Sequence, residues 1–423
     1  MKNLYLIILM ISGVTFGQLQ WKPLPTAIAN PGNQRFDDVF FINDDVGWAA
    51  NGYYASVSKT TDGGATWTVQ MSNATMGTNY YFRNIEFLDE NIGFIGTLDG
   101  VFFKTTNGGT TWNIVTNISP NPLAICGLDA VGTSTIYGCG AYFSPAFIIK
   151  STDSGTTWQH IDMSAYADGL VEVLFLDENL GYAAGIGVNG AIVLKTLDGG
   201  TTWSEVYNSG ISGEYVWKLQ TVAGNNNDVF GSVESVTGNS GKLIKSFDAG
   251  ATWTSKNFPD IDVQAIGFIS STHGWMGGHH TGFFETLDGG DTWINTGIGS
   301  NLNRIFILND NLAYASGTTI YKFSDSNLSV NNFTEISRKA LKVIVAPNPI
   351  NDKLSLSIDF LGNDHLILGL YDNSGKLIKI LQKDAISGQL TKSYSFDFPY
   401  QNGIYYLNLH TNTGRSSVKI IKK

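Results

Sequence analysis

The chain has 423 residues, with 48 glycines, 12% aromatic and only 15% charged residues, and a formal net charge of −10. That profile suits an all-β protein with many tight turns and excludes a disordered chain or a coiled coil. The length is enough for two or three domains. Charge is unevenly placed: residues 338–423 hold 12 Lys+Arg and 6 Asp+Glu, whereas the central part holds 13 basic and 30 acidic residues. The asymmetry marks a domain boundary and excludes nucleic acid as partner of the acidic part, because phosphate contacts need a basic surface.

At the N-terminus, Lys2 precedes an apolar run from Leu4 to Ile11, and Thr15, Phe16 and Gly17 follow. This reads as a signal peptide over residues 1–17, with Gln18 opening the mature chain. The run is about half a bilayer span and no second one follows, so no transmembrane segment is expected in the mature chain.

Self-similarity then dominates. Six segments share one pattern: Lys59-Thr-Thr-Asp62-Gly-Gly-Ala-Thr-Trp67, Lys104-Thr-Thr-Asn107-Gly-Gly-Thr-Thr-Trp112, Lys150-Ser-Thr-Asp153-Ser-Gly-Thr-Thr-Trp158, Lys195-Thr-Leu-Asp198-Gly-Gly-Thr-Thr-Trp203, Lys245-Ser-Phe-Asp248-Ala-Gly-Ala-Thr-Trp253 and Glu285-Thr-Leu-Asp288-Gly-Gly-Asp-Thr-Trp293. The Asp position recurs every 40 to 50 residues, the length of one four-stranded propeller blade. A carboxylate at such a turn accepts backbone N–H groups a few residues on, and the glycines supply positive φ. The tryptophan rings then wedge between neighbouring blades. Calcium ligation by the aspartates is disfavoured, since each box offers one carboxylate and calcium loops need several oxygens at close spacing.

Between the boxes, Phe41-Ile-Asn-Asp-Asp-Val-Gly-Trp48, Phe87-Leu-Asp-Glu-Asn-Ile-Gly-Phe94, Phe175-Leu-Asp-Glu-Asn-Leu-Gly-Tyr182 and Phe268-Ile-Ser-Ser-Thr-His-Gly-Trp275 are equivalent. Each reads as the end of an inner strand, a polar turn and the start of a second strand. Cys126 and Cys139 fall in one repeat, on adjacent antiparallel strands around a turn near Gly132. Either a disulfide or two buried free thiols fits them. After the sixth box, Asn303–Asn309, Ala313–Ser316 and Thr319–Phe323 supply three strands, and Lys322-Phe-Ser-Asp325 is a decayed box with no tryptophan behind it. Leu19-Gln-Trp21-Lys-Pro-Leu24 looks like the missing fourth strand. A seven-bladed β-propeller over residues 18–325 follows, closed by its N-terminal strand; six blades with a degenerate tail is the alternative.

These repeats resemble the bacterial-neuraminidase-repeat, or Asp-box, propellers, and most closely those of the photosystem II stability and assembly factor type, over residues 20–325. The resemblance implies a non-catalytic binding scaffold and no cofactor. It does not imply photosynthesis.

Residues 326–340 are polar and read as a linker. From residue 341 on, strands are expected near Val343, at Leu354–Phe360, Leu366–Tyr371, Leu377–Leu381, Thr391–Phe396, Ile404–His410 and Ser417–Ile421, which makes a small immunoglobulin-like β-sandwich. Its landmarks, Pro347-Asn348-Pro349, Leu370-Tyr-Asp-Asn-Ser-Gly-Lys376, Gly403-Ile-Tyr405 and Val418-Lys-Ile-Ile-Lys-Lys423, resemble the C-terminal sorting domain of the type IX secretion system of the Bacteroidetes. That resemblance implies handling of residues 341–423 by the secretion machinery, passage through the periplasm, and an outer-surface or secreted location. A carbohydrate-binding or adhesive module of the same fold is the alternative.

Aligned repeats place Arg35, Arg83 and Arg304 at inner-strand starts, on the rim of the central channel. Asp37, Asp38, Asn84, Glu172, Trp217, Lys218 and Gln264 take equivalent rim positions, and the loop residues His279 and His280 face the same side. The residues read as a solvated rim, or as a site for a glycan or an anionic partner, an unknown extracellular glycan or protein. Catalysis is the minority reading: a sialidase-like hydrolase needs three converging arginines and a Tyr nucleophile beside a carboxylate. Two histidines without a third ligand make no metal site.

Overall fold

A computed structural model describes residues 19–24, 34–325, 342–361, 364–372, 377–411 and 415–423. The expected signal peptide and linker lie outside the described residues. Contacts divide the chain into two compact units with the boundary after Val330, apart from the short segments Phe284–Thr286 and Thr292–Gly297. The fold is all-β and propeller-like. Among the described residues the one helix, Asn73–Met76, is a single turn, and no helix is long and apolar enough to cross a membrane.

Among the described residues, 19–325 form a succession of seven four-stranded antiparallel sheets, six of them with their strands in chain order. Sheet one comprises Asp38–Phe41, Gly47–Asn51, Ser56–Thr60 and Thr68–Ser72. The inner strands of sheets two to seven are Phe82–Phe87, Gly127–Val131, Gly169–Phe175, Tyr215–Val222, Val263–Phe268 and Arg304–Asn309. Sheet seven takes its fourth strand from the other end of the chain: Leu19–Pro23 pairs antiparallel with Ile320–Asp325, Trp21 opposite Phe323.

The repeated residues explain the packing. Phe41, Phe87, Phe175 and Phe268 end inner strands, and each stacks on an aromatic from the second strand of the preceding sheet. The pairs are Phe41–Tyr314 at 3.4 Å, Trp48–Phe87 at 3.5 Å, Tyr137–Phe175 at 3.5 Å and Phe230–Phe268 at 4.0 Å. The box tryptophan closes three of these pairs edge-on: Trp67 on Phe41, Trp112 on Phe87, Trp203 on Phe175. Such rings bury ~150–250 Å² each and favour T-shaped contacts. The glycine that opens the second strand of sheets one, two, four and six is required by the same phenylalanine: a Cβ on Gly47 would lie 2.5 Å from the Phe41 ring, and one on Gly93 2.3 Å from Phe87.

The box turns are built by their side chains. Asp198 accepts from the Thr202 N–H at 2.8 Å and the Thr202 hydroxyl at 2.7 Å, and Thr196 Oγ1 donates to it at 2.8 Å. Asp62, Asp153 and Asp248 do the same. Asn107 accepts from the Thr111 N–H and donates to its hydroxyl.

Cys126 and Cys139 are buried free thiols, so the disulfide alternative is not realised. Cys126 packs in the apolar cluster of Phe94, Ile125 and Val171, Cys139 in that of Ala146, Leu170 and Val173.

The second unit holds two antiparallel sheets. Lys342–Val345, Lys353–Leu361 and Gln389–Asp397 form one, and Asp364–Tyr371, Leu377–Ile386, Gly403–His410 and Arg415–Lys422 the other. A shared core of Ile350, Leu354, Leu356, Leu366, Leu368 and Leu407 lies between them. The Asn348 of the Pro-Asn-Pro landmark ties down the last strand, donating to the Lys419 carbonyl and accepting from the Ile421 N–H.

Candidate functional site

Antiparallel order sends the box turns to one end of each sheet and the inner-strand starts to the other. The box turns bond to the turns between first and second strands, as in Gly63 N–H to the Asp45 carbonyl and Gly108 N–H to Asn91. Side chains at inner-strand starts therefore gather at the opposite end, and these form two polar layers about the axis.

The outer layer centres on Asp37. Arg35 Nε lies 3.7 Å and Arg83 Nη1 3.8 Å from Asp37 Oδ1. The Tyr81 hydroxyl donates to the same oxygen at 3.2 Å, and the Gly52 N–H to Oδ2 at 2.9 Å. Asp37 is fully buried, which raises its pKa against the pull of the two guanidinium groups. Although Arg83 is only 5% exposed, its Nη1 and Arg35 Nη1 are buried without a hydrogen-bond partner among the described residues. Arg83 lies over the Trp217 ring at 5.4 Å, joining sheet two to sheet five. Gln264 donates to Glu234 at 2.9 Å while its own Oε1 is buried and unpartnered among the described residues. Burial, then the charges of Arg35 and others, lowers His279 to about 4, so its ring is neutral at physiological pH.

The deeper layer is set by Arg304, whose Nη1 donates to both Asp38 oxygens at 3.1 Å and whose Nη2 lies 3.8 Å from Glu86. Lys218 pairs with Glu172 at 2.7 Å. Desolvation pushes Glu86 well above the usual carboxylate range and Asp129 up to about 8, and the neighbouring carboxylates add to both. Several polar groups brace the next sheet's backbone. Asp38 Oδ2 accepts from the Ile85 N–H at 3.0 Å, and Asn84 Nδ2 donates to the Ile125 carbonyl at 2.8 Å.

Of the expected site residues, the structure thus brings Arg35, Asp37, Arg83, Trp217, Gln264 and His279 to the outer layer, and Asp38, Glu172, Lys218 and Arg304 to the deeper one. Asn84 is a brace, and His280 pairs with Asp262 at 2.6 Å, largely exposed. The three arginines do not converge: Arg304 is engaged by Asp38 and Glu86. Tyr81, Glu86, Asp129 and Glu234 were not anticipated. Glu86 and Asp129 carry a legible signal, as charged positions inside otherwise apolar inner strands. Tyr81 is beside a carboxylate, but its pKa is pushed up to about 12 by burial and by Asp37, the opposite of an activated nucleophile. Among the described residues no group of three or more His, Cys, Asp or Glu side chains is placed to hold a metal ion.

Comparison with known proteins agrees with this architecture. Residues 17–160 match the family model of the photosynthesis system II assembly factor YCF48, and residues 344–423 that of the secretion system C-terminal sorting domain. The chain therefore joins a YCF48-like β-propeller to a type IX sorting domain, which marks it for export to the cell surface or secretion. A structure of YCF48 bound to D1 peptide aligns with a TM-score of 0.54 at 19% identity, covering 72% of this chain and 96% of that one. PorZ, a surface component of the type IX secretion system of Porphyromonas gingivalis, aligns with a TM-score of 0.53 at 15% identity, covering 94% of this chain and 61% of that one. An ancestral GH74 enzyme aligns with a TM-score of 0.53 at 12% identity, covering 94% and 63%. These likenesses establish the fold and include both enzymes and non-enzymes. No curated protein matches the sequence.

Proposed function

We propose that the protein is an exported, non-catalytic propeller scaffold that holds an extracellular glycan or protein partner by an anionic group at the Arg35–Arg83 end of its axis. In this reading residues 18–325 are one closed seven-bladed propeller, 326–340 a linker and 341–423 an immunoglobulin-like sorting sandwich. Closure is supported by the stacking of Phe41 on Tyr314, which repeats between sheets one and seven the contact that Phe87 and Trp48 make between sheets two and one.

The observation that carries the binding reading is the pair of buried guanidinium nitrogens, Arg35 Nη1 and Arg83 Nη1, without hydrogen-bond partners among the described residues around one carboxylate. Buried donors of this kind cost free energy unless a partner arrives, and a carboxylate accepts from guanidinium groups with charge-assisted strength. The peptide carried by the YCF48 structure is in keeping with a binding role for such a propeller. A sialidase-like mechanism is disfavoured by the engagement of Arg304 in the deeper layer and by the raised pKa of Tyr81.

Calorimetric titration of the mature chain against carboxylate-bearing glycans and peptides tests the reading. Binding that Arg83→Ala abolishes is expected; binding indifferent to both Arg83→Ala and Arg35→Ala would overturn it, as would turnover of a glycan. For the sorting unit, removing residues 344–423 is expected to leave the protein in the periplasm.

A further inference from the structure

A row of aromatic rings leads outward from the arginine pair. Arg83 covers one face of Trp217. Trp217 stacks with Tyr215, centroids 5.4 Å apart and planes 20° from parallel. The Tyr215 hydroxyl donates to the Tyr142 backbone carbonyl at 2.9 Å, tying down the loop that carries Tyr142. Tyr142 meets Phe143 edge-on at 4.8 Å, and these two are 42% and 41% exposed. The row thus runs from a buried cation to solvent, with rings of sheet five and of the loop between the second and third strands of sheet three. Exposed neighbouring aromatics at a rim are unusual in a soluble surface and mark contact sites. Beside the row, Gln264 Oε1 is a buried acceptor with no donor among the described residues, and Glu234, whose pKa burial raises, is a second acceptor.

From this arrangement we infer that the ligand of the site is a carboxylated oligosaccharide, its acidic sugar seated on Arg35 and Arg83 and its following sugars laid along the exposed rings of Tyr142 and Phe143. The inference rests on the binding reading above and names its ligand class. Each element has a distinct part. The guanidinium pair takes the carboxylate. A sugar hydroxyl supplies the donor that Gln264 Oε1 lacks among the described residues. The C–H faces of the pyranose rings are apolar and stack on flat aromatic faces, which hold them with little loss of side-chain entropy. A peptide C-terminus can supply the carboxylate and an N–H donor but not the succession of C–H faces that sugar rings present.

The test titrates the full mature chain, followed by tryptophan fluorescence and calorimetry, with oligosaccharides of glucuronate, galacturonate and sialic acid. Their neutral methyl esters and a peptide with a free C-terminal carboxylate serve as comparisons. At least one acidic oligosaccharide binds, its methyl ester binds at least about tenfold more weakly, and Tyr142→Ala and Phe143→Ala each weaken it severalfold, up to about tenfold. Those two side chains are exposed, so their loss leaves the fold intact, which a melting curve verifies. Binding of the peptide but of none of the sugars, abolished by Arg83→Ala, would leave the anion site standing and sink the oligosaccharide. Acidic sugars that bind equally well to the Tyr142→Ala and Phe143→Ala variants would also sink it. If no carboxylate of any kind binds, both readings fail together.

Discussion

Lys322 Nζ donates to the Gly63 carbonyl at 2.9 Å, so the decayed box of sheet seven is fastened to the box turn of sheet one. The same link recurs between successive sheets: Lys59 to Gly108 at 3.0 Å, Lys150 to Gly199 at 2.8 Å and Lys195 to Ala249 at 2.6 Å. Each lysine also lies over an aromatic ring of its own sheet, Tyr314, Trp48, Tyr137 and Tyr182 respectively, within 5.9 Å. The box lysine is thus a fastener at these positions, and it survives in the seventh repeat where the tryptophan is lost.

The N-terminal strand should be as strongly held as any internal one. Trp21 is 2% exposed, stacked on Phe283 at 4.3 Å and edge-on to Trp275. Trp21→Ala is expected to cost about 3–5 kcal/mol in denaturant unfolding. A loss below about 1 kcal/mol would mean that the strand is dispensable.

The first glycine position of the box is left-handed, at φ 65° in Gly63 and 68° in Gly199, yet Ser154 and Ala249 occupy it at 56° and 55°. A side chain in this region costs roughly 1–2 kcal/mol. Ala249→Gly should therefore stabilise the protein by about 1 kcal/mol, an increase visible as a higher urea midpoint. The reverse change, Gly199→Ala, should destabilise, since its Cβ would lie 2.6 Å from the Glu178 carbonyl oxygen. An unchanged midpoint in both variants would refute the strain argument.

Acid should loosen the boxes. Hydrogen bonds from Thr202 and Thr252 lower Asp198 and Asp248 to about 2, against about 3.9 in an unfolded chain. Their contribution is complete above the unfolded value and is lost as pH falls through the folded one. Melting temperature should therefore drop between about pH 4 and about pH 2. Asp198→Asn, which imitates Asn107, should show a smaller drop over that interval; an identical acid profile would show that the carboxylate charge is irrelevant.

Arg304 neutralises buried carboxylates, and removing it strands them. Arg304→Met should cost about 3–5 kcal/mol. Adding Asp38→Asn, which keeps an acceptor for the Ile85 N–H, should recover part of that loss. If the double variant unfolds at the same urea concentration as the single one, Asp38 is not the partner that matters.

What the sequence by itself determined is the repeating unit and its joints. Box turns, the glycines before Trp48, Phe94, Tyr182 and Trp275 and the tail strands are local features, fixed by φ, by hydrogen bonds within five residues and by alternation along a strand, so they are legible one repeat at a time. Even Leu19–Leu24 shows its kinship to the post-box strand from composition alone. The tertiary structure decided which polar groups meet. Arg83, in the bulge before Asn84, reaches Trp217 of sheet five, while Arg304, whose register matches Asn84 rather than Arg83, turns to Asp38 and Glu86. Alignment of repeats places both near inner-strand starts but carries no information on which sheets face each other across the axis. The thiols show the same limit: adjacent strands put Cys126 and Cys139 close in register, and only the packing assigns them to different apolar clusters. Side chains pointing to a common axis are sorted by charge and burial among partners from several sheets, and that sorting exists only once the sheets are assembled.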